Sequence, residues 1–244
     1  MTPRRVLSLI LGLGLVGSCG SSQQAEEPAG EASGGGEDAS TLRGHMSANF
    51  NLALTARDGV IAGSMIQARE AAVQLAEQDY SVLLPPNWMP GVERMQSAAR
   101  ELTGAEDVAS AAGSVAELAA ACGACHAERG LDLSSSHPSP ARDFGEAEDM
   151  RERMQRHQRA ADNFWYGLSV PSDGAWQQAA QMLLDAPMSP TDEEGKAVRQ
   201  ELASRVDAVR AIAQRALEAK GEQDRVQVYG ELLSTCASCH QGGA

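Results

Sequence analysis

Apolar residues recur at every third or fourth position along most of the chain after residue 41, a spacing typical of amphipathic α-helices. The pattern predicts eight helical segments in two groups of four. The first group lies near residues 42–57, 63–78, 91–103 and 106–127, and the second near 146–168, 173–185, 192–219 and 222–240. Prolines interrupt the pattern between the second and third segments of the first group and at the corresponding place in the second group.

The last segment of each group has the most regular apolar stripe. It alternates steps of three and four residues, as a helix does when one face packs in a bundle. The stripes are Val108, Ala112, Val115, Ala119, Cys122, His126 in the first group and Val226, Tyr229, Leu233, Cys236, His240 in the second. Short connections make neighbouring helices antiparallel, so we predict an all-α protein of two tandem four-helix bundles.

The two groups are related by an internal repeat. The pentapeptide Cys-x-x-Cys-His at 122–126 recurs 114 residues later at 236–240, and a histidine in the first helix of each group, His45 and His157, recurs at a distance of 112. Two landmarks with nearly equal offsets indicate a tandem duplication. We therefore predict one unit at 42–129, a Ser- and Pro-containing hinge at 130–145, and a second unit at 146–244.

The first eighteen residues have the pattern of a signal peptide. Two arginines precede an uncharged, mostly apolar run at 6–16, which is too short to span a bilayer. The run ends in residues 15–19, which resemble a bacterial lipobox, so we predict lipidation at Cys19. Without lipidation, the same signal predicts a soluble periplasmic protein. Residues 19–41 are rich in Gly, Ser, Glu and Ala and predict a flexible linker.

Composition and charge exclude several classes of fold and of binding partner. Aromatic residues make up only 4% of the chain, and helix-forming Ala, Glu and Leu are abundant, which disfavours a β protein. A net charge of −13 argues against binding to nucleic acid or to an anionic lipid surface. Removal of residues 1–18 takes away two arginines and no acidic residue, which makes the charge −15. A partner protein with a basic docking face is favoured.

The two pentapeptides match the attachment signal of a c-type haem. Cysteines at i and i+3 lie on one face of a helical turn, where both reach the vinyl groups of one haem, and the next histidine is an iron ligand. Two copies on an exported chain predict two covalently bound haem c groups. Four cysteines in two pairs also suit a structural zinc site, and each pair alone suits a disulfide or a redox-active dithiol. The sequence leaves these non-haem alternatives open.

An attachment signal at the C-terminal end of a four-helix bundle resembles the class II cytochromes c, the cytochrome c-prime group. The resemblance covers both units, about 185 residues, and rests on motif position and helix count. It implies thioether bonds to haem at four cysteines and proximal iron ligation by two histidines. The cysteines are Cys122, Cys125, Cys236 and Cys239, and the histidines are His126 and His240.

The resemblance also points to the first helix of each unit for the other side of the haem. Low-spin members of the group commonly place a methionine there, and high-spin members an apolar residue that leaves the iron five-coordinate. This chain instead repeats a histidine, and we predict His45 and His157 as distal ligands of two low-spin haems. Met46, next to His45, is a competing ligand for the first haem.

These observations predict a carrier of single electrons, or an accessory redox subunit, rather than an enzyme. The signal pattern places it at the bacterial cell envelope, facing the periplasm and anchored through its N-terminal lipid. The alternative is a haem protein with one five-coordinate iron that binds nitric oxide or carbon monoxide or reduces a peroxide.

Overall fold

The described part of the chain is almost entirely helical. The computed structural model of the protein describes residues 36–81, 84–131, 133, 150–185 and 198–241. Within these ranges there are eight α-helices, one 3₁₀ turn at Pro86–Trp88 and no strand, which confirms the all-α prediction. The helices are α1 (Gly36–Ile61), α2 (Met65–Glu77), α3 (Met89–Gly104), α4 (Val108–Glu128), α5 (Met150–Ser169), α6 (Asp173–Asp185), α7 (Val198–Glu218) and α8 (Glu222–Gln241).

Where the structure describes the ends of the predicted segments, the helix boundaries agree with them to within two residues, except in α1, which starts earlier than predicted and ends at Ile61 instead of 57. Helix α1 begins at Gly36, inside the segment 19–41 that was predicted as a linker. The apolar pattern missed this start because residues 36–41 contain no large apolar residue. The predicted signal peptide at 1–18, Cys19 and the hinge residues 132 and 134–145 lie outside the described residues.

Local capping explains where several helices begin. Gly63 has φ 72°, a left-handed conformation that favours glycine, and it turns the chain between α1 and α2. Ser64 then caps α2 by accepting a hydrogen bond from the backbone N–H of Gln67. Helix α4 begins with a reciprocal capping box in which the Asp107 carboxylate accepts from the Ser110 N–H at 2.8 Å.

Helices that follow one another in the chain pack side by side within each half. Helix α4 also packs against α8 as extensively as against its neighbour α3, and it contacts α5. Helices α4 and α8 approach each other closely at Gly230, where a Cβ atom would lie 3.3 Å from the Cα of Gly113. The buried side chains of both halves consequently form one continuous core.

The composition of α4 reflects this central position. By length and hydropathy it is the one described helix that is apolar enough to cross a membrane. Eight of its residues are nevertheless buried by the surrounding helices, five of them alanines and one a glycine. Small residues allow close helix packing, so the apolar sequence of α4 is explained by its place in the core.

Helices α4 and α8 run in opposite directions. The end of α4 lies at the start of α3, where Arg94 pairs with Glu128 at 2.8 Å. The end of α8 lies at the turn between α1 and α2, where the Gln241 side chain donates to the Gly63 carbonyl at 3.3 Å. The turn between α1 and α2 and the start of α3 lie at opposite ends of α2. Helix α2 has 13 residues, so at a rise of 1.5 Å per residue these two ends are about 20 Å apart. The two predicted attachment motifs are therefore at opposite ends of the molecule.

A buried arginine connects the two halves. The Arg57 side chain in α1 is only 4% exposed and pairs with the carboxylates of Asp58 at 2.7 Å and of Asp162, in α5, at 2.8 Å. Its guanidinium group also lies 5.9 Å from the ring centre of Trp165, which in turn contacts Phe50 edge-on. Charge and aromatic contacts thus join α1 to α5 across the core.

Candidate functional site

The first Cys-x-x-Cys-His motif occupies the last two turns of α4. Because the helix continues through Cys122, Cys125 and His126, the two thiols lie on one face, and the imidazole begins the final turn. Helix α3 approaches this turn very closely, since a Cβ atom on Gly91 would lie 2.6 Å from the Sγ of Cys125. The absence of a side chain at position 91 therefore leaves room for the Cys125 thiol.

The thiols of this motif are unpaired and weakly acidic. Burial raises the pKa of Cys122 to about 12. Burial also raises the pKa of Cys125, against the opposing effect of the Arg129 and Arg94 guanidinium groups. Redox-active cysteines have lowered pKa values, because the thiolate is the reactive form. The environment of this pair disfavours the redox-active alternative.

The His126 ring is held by a residue of the other half. Its Nδ1 atom lies 2.8 Å from the backbone carbonyl oxygen of Ser169, the last residue of α5. A carbonyl oxygen only accepts hydrogen bonds, so Nδ1 carries the proton that is donated in this contact. A metal ion would therefore be bound through Nε2, with Nδ1–H donated to a carbonyl group, which is the usual arrangement of a histidine ligand.

The second motif has the same position at the end of α8 but different surroundings. Burial raises the pKa of Cys236 to about 12. Arg205 of α7 donates to the Ser238 carbonyl inside the motif at 2.8 Å. His240 is exposed, and within the described residues its ring has no hydrogen-bond partner. The two motifs are alike in secondary structure and different in the environment of the histidine.

The predicted distal histidines lie in corresponding places. His45 in α1 and His157 in α5 are both half-buried. One helical turn after each histidine is a residue that accepts a hydrogen bond from a tyrosine hydroxyl, namely Asn49 in α1 and Ala161 in α5. The Tyr80 hydroxyl donates to the Asn49 side chain at 2.9 Å, and the Tyr229 hydroxyl donates to the Ala161 carbonyl at 3.1 Å.

The direction of the helices relates these histidines to the motifs. Each first helix runs antiparallel to the last helix of its half. The turn before Asn49 in α1, or before Ala161 in α5, is therefore on the side of that half where the last helix ends in its motif. Within the described ranges, no three His, Cys, Asp or Glu side chains are close enough to hold a metal ion directly. A haem iron needs only one or two protein ligands, because the porphyrin supplies four nitrogens. Distal ligation therefore stays a prediction.

Met46, the competing distal ligand, is half-buried and packs against the apolar core. Packing is the usual role of methionine in a helical bundle, since its flexible thioether fills irregular gaps.

The placement of the motifs bears on the non-haem alternatives. A zinc site of four cysteines would need both pairs at one point, and the pairs lie at opposite ends of the antiparallel helices α4 and α8. The four cysteines of the motifs are also free thiols rather than disulfides. The arrangement fits a separate group at each end better than one shared site.

Several residues of the site have no signal in the sequence pattern. The Ser169 carbonyl, the tyrosine contacts of α1 and α5 and the buried Arg57 all depend on packing between distant segments. In the sequence, Gly123 is only one of the two unspecified positions between the cysteines of the first motif. In the structure, a Cβ atom there would lie 1.9 Å from the Leu168 carbonyl oxygen.

Comparisons of the chain with protein-family models, with curated proteins and with solved structures found no match. What the protein does must therefore be inferred from its own residues.

Proposed function

We propose that the protein is a dihaem c-type cytochrome that passes single electrons between partner proteins at the bacterial cell envelope. The observation that supports it most strongly is the Cys-x-x-Cys-His sequence at the C-terminal turns of both α4 and α8. The free thiols at i and i+3 and the available Nε2 of His126 suit covalent attachment and proximal ligation. When bound, the haem iron supplies a one-electron redox couple.

In this proposal the chain's own residues attach, orient and shield the group. The four motif cysteines would hold the group through thioether bonds, each formed by addition of a thiol S–H across one vinyl group, with the sulfur on one vinyl carbon and the hydrogen on the other. The helices of each half form a four-helix unit around the site, as in the class II cytochromes c that the chain resembles. The order of helix packing within each half supports such units, although their apolar side chains join in one core.

The carrier role follows from the closed coordination that we propose. With His45 and His157 as distal ligands, neither iron has an open position for a substrate, and electron transfer needs none. The charge of −13 favours docking of a partner through a basic face. The signal-peptide pattern and Cys19 support a lipid-anchored protein that faces the periplasm.

Haem content tests the proposal directly. Protein matured in a host that makes c-type cytochromes is expected to contain two haems per chain in a pyridine haemochrome assay. Both haems should remain with the protein in acidified acetone, because thioether bonds survive this extraction. A colourless protein, or complete loss of the pigment to the solvent, would contradict the proposal and leave the zinc or disulfide alternatives.

The distal histidines predict the spin state of the iron. The ferric protein is expected to be low-spin at both haems, and the ferrous protein should not bind carbon monoxide. His45→Ala and His157→Ala should each convert one haem to a high-spin form that binds carbon monoxide, since each removes a sixth ligand. His137→Ala serves as the control, because the sequence places His137 between the two units.

Magnetic circular dichroism and resonance Raman spectra measure this outcome. A near-infrared band of thioether ligation in the unsubstituted protein would assign a methionine, such as Met46, instead of histidine. Rapid binding of carbon monoxide by the unsubstituted protein would favour the gas-binding or peroxide-reducing alternative.

A further inference from the structure

We propose that the second half of the chain completes the first haem site. The Ser169 carbonyl orients the His126 ring, strengthens it as a ligand and thereby lowers the reduction potential of the first haem. This inference rests on the proposed function, in which His126 is the proximal iron ligand. It adds a positioning group that lies outside the motif and outside the unit that contains the motif.

The acceptor is well placed for this role. Ser169 is 1% exposed, so its carbonyl is shielded from competing water, and it lies 2.8 Å from His126 Nδ1. It belongs to the last turn of α5, whose carbonyl groups have no partners within the helix. The C-terminal end of a helix also has a partial negative charge. Both features favour a strong bond from the imidazole N–H.

Gly123 makes the contact between the two halves possible. A Cβ atom at this position would lie 1.9 Å from the Leu168 carbonyl oxygen and 3.2 Å from the Cδ of Pro171. Any side chain at position 123 would therefore push the end of α5 away from α4. The second motif has Ala237 at the equivalent position, so glycine is not needed by the motif itself.

The hydrogen bond has a defined effect on the iron. A histidine ligand that donates its second N–H to a carbonyl becomes more basic, and a more basic ligand stabilises ferric over ferrous iron. In the part of the chain that the structure describes, the His240 ring has no such acceptor. Loss of the Ser169 contact should consequently raise the potential of the first haem and leave the second unchanged.

Gly123→Ala tests the inference in the haem-loaded protein without changing either ligand. Spectroelectrochemistry is expected to show an upward shift of one of the two haem potentials. Proton NMR should show that the His126 ring N–H exchanges with solvent faster than in the unsubstituted protein. The expected increase is about fivefold, because a hydrogen bond contributes a net free energy of about 1 kcal/mol. Gly113→Ala on the same helix is the matched control, because a Cβ atom there would meet no atom of the described residues within 4 Å.

The outcomes separate this inference from the proposed function. Unchanged potentials and unchanged N–H exchange in Gly123→Ala, with two haems bound, would overturn the role of Ser169 and leave the cytochrome proposal standing. If Gly123→Ala fails to fold, the unsubstituted protein decides the question. Its His126 ring N–H must exchange more slowly than that of His240, and equal rates would overturn the inference. Absence of covalent haem would instead reject the proposed function.

Discussion

A chain in which Cys122 and Cys125 are both replaced by serine is expected to contain one haem instead of two. Serine forms no thioether with a vinyl group, so the first site loses its covalent bonds. The second site should still mature, because it lies at the opposite end of the antiparallel pair α4 and α8. A pyridine haemochrome assay and the intact mass of the protein measure the loss of one haem.

The reciprocal change gives the matched control. Cys236→Ser with Cys239→Ser should likewise leave one haem, and the two single-haem proteins should add up to the spectrum of the original. Two covalent haems after either double substitution would show that the motif is not the attachment site. Complete loss of haem from one of the two would contradict independent maturation of the sites.

The second large effect is expected at the buried arginine between the halves. Arg57→Ala should lower the free energy of unfolding by about 3 kcal/mol. Truncation of a large buried side chain and disruption of a buried ion pair each have costs of this size. The substitution removes the bonds to Asp58 and Asp162 and leaves a cavity beside Trp165. Urea unfolding of the haem-loaded protein, followed by circular dichroism, measures the change.

Arg57→Met separates charge from packing. Methionine fills much of the space, and both aspartates are partly exposed and remain solvated, so most of the lost stability should return. Arg100→Ala, on the exposed surface of α3, should change the free energy by less than about 0.5 kcal/mol. A loss below about 1 kcal/mol in Arg57→Ala would contradict a structural role for this contact.

Much of the helical structure could be predicted from local pattern. The segment predicted at 173–185 coincides with α6, and α4 and α8 agree with their predicted segments to within two residues. These helices have regular apolar stripes, and a stripe with a period of 3.6 residues is a property of a short window of sequence. The start of α1 was missed because its first residues offer no stripe.

The candidate site was predictable only in part, for the same reason. The motif cysteines and histidines are recognised by their spacing within five residues. The acceptor of His126 lies 43 residues away in the sequence, and its position depends on the contact between α4 and α5. No spacing rule relates two residues whose distance is set by the packing of separate helices.

By itself, the sequence determined that the chain is helical, that it contains a repeat and that each repeat ends in the same pentapeptide. Only the tertiary structure decided that the two motifs lie at opposite ends, that the halves share one core and that Ser169 faces His126. The physical reason is that turns and stripes arise from interactions between near neighbours in the chain. The docking of helices depends instead on close approach at particular small residues, such as Gly123 and Gly230, which belong to no periodic pattern.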